Sequence, residues 1–108
     1  MTITIDWKNI ENQIVLLALT IFRGYAEEAI KDFKEFRKKT EDDLKAWLED
    51  LRLGNITSQN FKDLVSGQRG LLELKALEKV GLANIALDKF TEGVIQILIA
   101  TVESIQIQ

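Results

Sequence analysis

The chain has 108 residues, of which 46% are hydrophobic and 29% are charged, and its formal net charge at pH 7 is -3. Such a length and composition are typical of one globular domain rather than of a disordered chain. Cysteine and histidine are absent, which excludes disulfides, thiolate zinc sites and histidine-based catalysis or metal binding. Proline is also absent and glycine is scarce, which favours long helices. We expect a single helical domain over residues 1–108, without enzymatic activity and without a cofactor.

The opening residues, MTITIDW, lack the basic segment and the long apolar segment of a secretory signal, so we expect a cytoplasmic protein. The longest uncharged runs cover residues 12–22 and 93–102. Both are shorter than the ~18–20 apolar residues of a membrane-spanning helix. The mild negative charge argues against a general preference for nucleic acid or for anionic lipid.

The first half of the chain predicts one long helix over about residues 7–52, because apolar residues recur there every three or four positions. Their mean spacing, about 3.67 residues, is typical of a straight helix rather than of a left-handed coiled coil. Asp6 is placed to cap the first turn, with Ile5 and Ile10 as an apolar pair across the cap. Gly54 is placed to end the helix. Unbroken, such a helix would be roughly 70 Å long.

The rest of the chain predicts a turn and two further helices. The turn covers residues 53–57, because its glycine and asparagine accept left-handed backbone and Thr57 can cap the next helix. A helix over about residues 58–66 follows, and two glycines at 67–70 then predict a kink or a break. The same apolar spacing resumes in a last helix over about residues 70–104. At the two ends, TITI and SIQIQ alternate polar and apolar residues, which indicates either paired extended segments or frayed tails.

These elements predict an all-α fold, a long antiparallel helical hairpin that pairs with a second copy into a dimeric four-helix bundle. The alternative is a monomer in which the kink at 67–70 folds three helices around one core. We favour the dimer, because the last helix is apolar over a wider face than one partner helix can cover. The predicted oligomer interface consists of Ile14, Leu17, Ile21, Leu87, Val94, Ile95, Leu98, Ile99 and Val102.

Charge is concentrated in residues 27–53, which carry nine acidic and seven basic side chains. Glutamates precede lysines by four positions there, which predicts a solvated, ion-paired helix face rather than a metal or acid–base site. The pairs are Glu27 with Lys31, Glu35 with Lys39, and Glu41 with Lys45, and Asp32 belongs to the same acidic cluster. Phe33 and Phe36 interleave a basic run, but both lie on the apolar stripe, so we do not expect them to stack on nucleic-acid bases.

The pattern as a whole favours a non-enzymatic interaction or scaffold module that self-associates through its apolar terminal halves. Its expected partner is a second copy, as a homodimer, and another protein would contact residues 27–52. The alternative is a membrane-active helical hairpin, such as a small pore-forming or lysis-associated protein, whose charge-poor ends open onto lipid. Against that alternative, neither charge-poor segment reaches spanning length or is flanked by a basic cluster.

Overall fold

The computed structural model describes residues 5–107, with side chains described for residues 5–101. All regular structure in this range is helical, as the sequence predicts. The elements are α1 (Trp7–Phe22), α2 (Ala26–Arg52), α3 (Ser58–Ser66), a 3₁₀ helix (Gly67–Leu71), α4 (Lys75–Lys79) and α5 (Asn84–Ile107). Since α5 extends to Ile107, the C-terminal alternating segment is helical up to that residue, and the first four residues lie outside the described range.

Capping side chains start α1 and α3 where the sequence predicts. Asp6 Oδ1 accepts a hydrogen bond from the backbone N–H of Asn9 at 3.0 Å. Thr57 Oγ1 accepts from the N–H of Asn60 at 3.0 Å, and Asn60 Oδ1 accepts in return from the N–H of Thr57 at 3.2 Å. This reciprocal capping box follows a turn in which Gly54 has a φ of 79°, a left-handed conformation that favours glycine.

The predicted helix over residues 7–52 is divided into α1 and α2 by the corner of Arg23, Gly24 and Tyr25. Arg23 and Tyr25 have φ values of 59° and 64°. The left-handed conformation costs about 1–2 kcal/mol for a residue that carries a side chain. The N–H of Arg23 donates to the carbonyl of Leu19 at 3.0 Å and closes α1, whereas no side chain caps the start of α2. The chain therefore reverses through a short, strained corner.

The predicted helix over residues 70–104 is also divided. The break predicted at 67–70 is confirmed, because a 3₁₀ helix and a short extended segment separate α3 from α4. A second break follows α4, where Gly81 has a φ of 80°. This second break was not predicted, and it turns the chain so that α5 returns along the molecule.

Within the described residues the chain makes four passes: α1, α2, the segment from α3 through α4, and α5. The rings of Phe22 and Phe90 are 5.4 Å apart, and Gln13 Nε2 donates to Thr101 Oγ1 at 3.2 Å, so α1 and α5 are antiparallel neighbours. The third pass packs against both α2 and α5. The molecule measures 44 × 22 × 20 Å, and α2 alone spans about 40 Å of that length.

One core lies between these passes, and it corrects the predicted architecture. Its largest fully buried side chains include Ile10, Ile14, Phe33, Phe36, Leu44, Leu48, Phe61, Leu77, Phe90, Ile95 and Leu98. The single chain does not form a long two-helix hairpin, because both halves of the chain are broken into shorter helices that fold back on one another. The three-helix alternative also differs from the five α-helices of the described chain. Pairing with a second copy stays a prediction.

Candidate functional site

Acidic side chains are the main candidates for metal binding in a chain without histidine or cysteine. Among the side chains that the structure describes, no group of three or more could hold a metal ion. In the same part of the chain, no buried side-chain nitrogen or oxygen lacks a hydrogen-bond partner. None of the described helices combines the length and the apolar character that crossing a bilayer requires. Two other features stand out, a groove between α2 and α4 and an uncharged surface on α1 and α5.

The groove is built around a buried carboxylate, that of Asp32 on α2, which is 4% exposed. Its Oδ1 accepts from the N–H of Ala76 at 2.9 Å and its Oδ2 accepts from the N–H of Leu77 at 3.0 Å. The five-residue helix α4 has no side-chain cap of its own. Asp32 therefore supplies, from another helix, the acceptors that the first N–H groups of α4 need. This corrects its predicted place on a solvated face, and no sequence signal connects residues 44 positions apart.

The groove has a volume of about 660 Å³ and lies between α2 and residues 71–80. Apolar side chains, including Phe36, Leu71 and Val80, form part of its lining. The charged lining residues are Glu27, Glu28, Lys31, Asp32, Glu35, Lys39, Glu73, Lys75 and Lys79. Lys39 Nζ lies 2.9 Å from Glu73 Oε1, so an ion pair joins the two walls. This part of α2 belongs to the partner surface predicted over residues 27–52, which stays a prediction.

Ion pairs on α2 follow the predicted spacing only in part. Glu41 pairs with Lys45 at 3.5 Å as predicted, but Glu35 pairs with Lys38 at 3.1 Å instead of Lys39. Glu27 and Lys31, although both described, form no ion pair. The spacing of four is therefore a weak guide to which exposed charges meet, because long side chains reach several neighbours.

Glu73, in the groove, and Glu41, on α2, have lowered pKa values. Hydrogen bonds from Lys39 and then Lys75 hold the pKa of Glu73 below its usual value. The hydrogen bond from Arg37 is the main cause that lowers the pKa of Glu41; burial opposes it, and the charges of Arg37 and then Lys45 add to the lowering. Both carboxylates are thus kept ionised by neighbouring cations, which suits structural ion pairs rather than acid–base chemistry.

The N-terminus of α1 is joined to α2 by aromatic and cationic contacts. The guanidinium of Arg37 lies 4.4 Å from the ring centre of Trp7, a cation–π contact. The Trp7 ring is 6.2 Å from that of Phe33. Phe33 and Phe36 are both fully buried, which confirms that they lie on the apolar stripe. Neither ring is therefore exposed for stacking.

The side chains predicted to form an oligomer interface lie mainly inside the single chain. Ile14, Val94, Ile95 and Leu98 are fully buried, and Leu87 and Ile99 are nearly so. Leu17 and Ile21 are partly buried against the same core, and the side chain of Val102 lies outside the described ones. Apart from Val102, these residues therefore belong to the core of the single chain or pack against it, and Leu17 lies at the contact between α1 and α5, beside Gly93. A second copy that leaves this fold intact has to bind through other residues.

The uncharged surface lies on the outer side of the same two helices. We call it the α1/α5 surface and define it by the exposed residues Asn12, Leu16, Leu19 and Thr20 of α1 and Gln96 and Ala100 of α5. Leu16 is 64% exposed and Leu19 is 46% exposed, and their spacing of three places them on one side of α1. The seam between the helices, where Leu17 contacts Gly93, is half-buried. Within residues 12–22 and 93–101, the exposed side chains of the two helices are therefore uncharged, in a chain that is 29% charged.

A sequence signal for this surface exists, namely the two uncharged runs, but it does not separate inner from outer residues. Hydrophobic periodicity identifies Ile14 and Leu17, whereas Leu16 and Leu19 lie off the stripe and were missed. The lack of charge on the outer side, rather than the stripe, is the signal that could have found them.

Comparison with known protein families, with curated proteins and with solved structures gave no match to this chain.

Proposed function

We propose that the protein is a non-enzymatic helical interaction module that self-associates through the α1/α5 surface. The observation that carries this proposal is the exposure of two leucines on a helix side that has no charge from residue 12 to residue 22. Interface centres are depleted of charged residues, and adjacent exposed apolar side chains are the part of a surface that gains most from being covered.

A second copy of the chain is the occupant that the surface favours. A surface without charged side chains cannot orient a charged partner by electrostatic attraction. It can, however, pack against the identical surface of a second copy across a twofold axis. An axis between Leu16 and Leu19 would bring the leucines of the two copies together. The interface would then be isologous, with both copies burying the same residues.

The exposed area indicates a weak dimer. Leu16 and Leu19 together expose about as much side chain as one fully exposed leucine. Burying that much contributes about 1.5–3 kcal/mol per copy. Association costs about 4–15 kcal/mol in lost translational and rotational freedom. The leucines of two copies together contribute about 3–6 kcal/mol, which offsets no more than the low end of that cost. We therefore expect a dissociation constant no tighter than roughly millimolar, with rapid dissociation on dilution.

Absolute mass by light scattering behind a sizing column, over a wide range of loading concentrations, tests the proposal. We expect the mass to rise toward twice the chain mass at high concentration, and the double substitution Leu16→Asp and Leu19→Asp to abolish that rise. Leu53→Asp is the matched control, because Leu53 is 57% exposed beyond the end of α2. A monomer at every concentration, or a rise that the double substitution leaves unchanged, would contradict the proposal. Co-sedimentation of the wild-type chain with liposomes would instead assign the surface to a membrane.

A further inference from the structure

The corner between α1 and α2 points to a second way of pairing. We propose that α1 exchanges between two copies of the chain, so that each α1 packs on the α2 and α5 of the other copy. In the exchanged form, α1, the corner and α2 would join into one continuous helix over residues 7–52. This inference rests on the proposed self-association and describes how it would occur through the core.

The first observation is that the helical pattern of the sequence does not stop at the corner. Ile21, Tyr25 and Ala29 follow each other at steps of four, the spacing that keeps residues on one side of a helix. The corner contains no proline, and Gly24 can adopt helical backbone. The sequence therefore suits a continuous helix as well as a bent one.

The second observation is that the bent form is strained where the continuous form would not be. Arg23 and Tyr25 both have left-handed backbone in the corner, with φ values of 59° and 64°. In a continuous helix both residues would adopt the right-handed conformation that side chains favour. Short connections under strain are the ones that favour exchange of an element between copies.

The third observation concerns hydrogen bonds at the corner. No side chain caps the start of α2, so its first N–H groups have no acceptor from a cap. Joining α1 to α2 would give these N–H groups the carbonyls of the last turn of α1 as partners. The exchange thus adds backbone hydrogen bonds at the corner and removes none from the body of either helix.

The fourth observation is that exchange would recreate the contacts of α1 without loss. Phe22 against Phe90, Leu17 against Gly93 and Gln13 against Thr101 would each form between two chains instead of within one. These three contacts include Leu17, one of the residues predicted from the sequence as an oligomer interface. The exchanged dimer would bury them between copies, with the same packing that one chain uses in the monomer.

Cross-linking tests the exchange directly, because the chain has no cysteine of its own. Gln13→Cys is introduced in one batch and Thr101→Cys in another, at positions whose side chains are 3.2 Å apart. The batches are mixed, unfolded in urea, refolded at millimolar concentration and treated with a short bis-maleimide. The double variant in one chain, treated as a dilute monomer, is the control that the two positions react.

We expect a covalent product between the two single-cysteine chains in the refolded dimer, and none when folded monomers are mixed briefly. A refolded dimer that gives no product between chains would overturn the exchange and leave the proposed surface contact intact. A chain that stays monomeric after refolding at every concentration would overturn both. Because the control shows that the two cysteines react when they lie close together, the absence of a cross-linked product from the refolded dimer means that α1 has not exchanged.

Substitutions in the corner provide a second test that does not depend on cross-linking. Gly24 has open space around its Cα, so Gly24→Ala fits the bent form, and alanine favours the continuous helix. We expect it to raise the ratio of exchanged to closed chains by roughly fivefold per chain. Gly67→Ala, also in open space, is the matched control. The double substitution Arg23→Gly and Tyr25→Gly should lower the exchanged fraction by about tenfold or more, since glycine accepts the corner and weakens the helix. An exchanged fraction that these variants leave unchanged would contradict the role of the corner.

Discussion

The contact of α1 with α5 at Gly93 gives a prediction in which the effect of an added methyl group on stability depends on Leu17. A methyl group at Gly93 would lie 2.5 Å from Leu17 Cδ2, 2.8 Å from its Cδ1 and 3.2 Å from its Cγ. Carbon atoms in contact are normally about 3.5–4.0 Å apart. Gly93→Ala therefore requires Leu17 or the whole of α1 to withdraw by roughly 1 Å.

Two opposing effects set the magnitude. Alanine in place of glycine within a helix stabilises it by about 1 kcal/mol. Overpacking a close contact costs about 1–3 kcal/mol. In the wild-type background we expect Gly93→Ala to lower the free energy of unfolding by about 1 kcal/mol. In a Leu17→Ala background the obstacle is gone, and the same substitution should raise it by about 1 kcal/mol.

Urea denaturation of the four variants of this cycle, followed by circular dichroism in a dilute sample, measures the effect. The coupling energy between Gly93→Ala and Leu17→Ala should be about 2 kcal/mol, well above the ~0.5 kcal/mol expected for independent sites. Gly67→Ala, where the added methyl group meets nothing within 4 Å, should be insensitive to Leu17→Ala. If Gly93→Ala changed stability equally in both backgrounds, the close approach of α1 and α5 would be refuted.

Three other substitutions test the remaining contacts by the same denaturation assay. Asp32→Asn should lower the free energy of unfolding by about 1–3 kcal/mol, because the amide replaces one of two buried acceptor oxygens with a donor. The control Asp43→Asn, on the exposed side of α2, should change the free energy of unfolding by less than about 0.5 kcal/mol. Thr57→Ala should cost about 1 kcal/mol through loss of the cap of α3, and an unchanged midpoint would exclude that cap in solution. Glu41 has a lowered pKa in the folded state, so its contribution to the free energy of unfolding is present above the unfolded-state pKa of about 4.3 and is lost as the pH falls through the lower folded-state pKa. The stability difference between wild type and Glu41→Gln should therefore shrink below about pH 4. A difference that grew there would contradict the ion pair with Arg37.

Local signals in the sequence predicted the helix starts and turns whose partners lie within a few residues. Asp6 with Asn9, and Thr57 with Asn60, are such cases, because a cap and the N–H that it accepts are three positions apart. The all-helical character follows equally from local periodicity. These features depend on short-range geometry that the sequence carries directly.

The features that sequence reasoning missed depend on distant partners. The corner at Arg23 to Tyr25 interrupts a pattern that continues on both sides, so periodicity alone cannot locate it. α4 starts where Asp32 provides acceptors from 44 residues away. In both cases tertiary packing decides the outcome, because a short helix or a strained corner is formed only where the rest of the fold makes it favourable.

The uncharged run at residues 93–102 shows why an interface between copies is hard to predict from a sequence. A stripe of apolar residues reports that a surface is buried, but not which chain covers it. In the described fold, Val94 and Leu98 are buried within the same chain, and the exposed residues of this run, among the side chains that are described, are Gln96 and Ala100.

Self-association therefore depends on α1 in both proposed modes, through its exposed leucines in the surface dimer and through its buried stripe in the exchanged dimer. The two modes differ in rate as well as in structure. The surface dimer should re-equilibrate within the time of a sizing run, because its formation leaves every helix in place. The exchanged dimer has to withdraw α1 from a core that includes Ile10 and Ile14, so its interconversion should be as slow as local unfolding of that helix. A dimer that survives dilution for hours thus favours exchange, and one that disappears at once favours the surface contact.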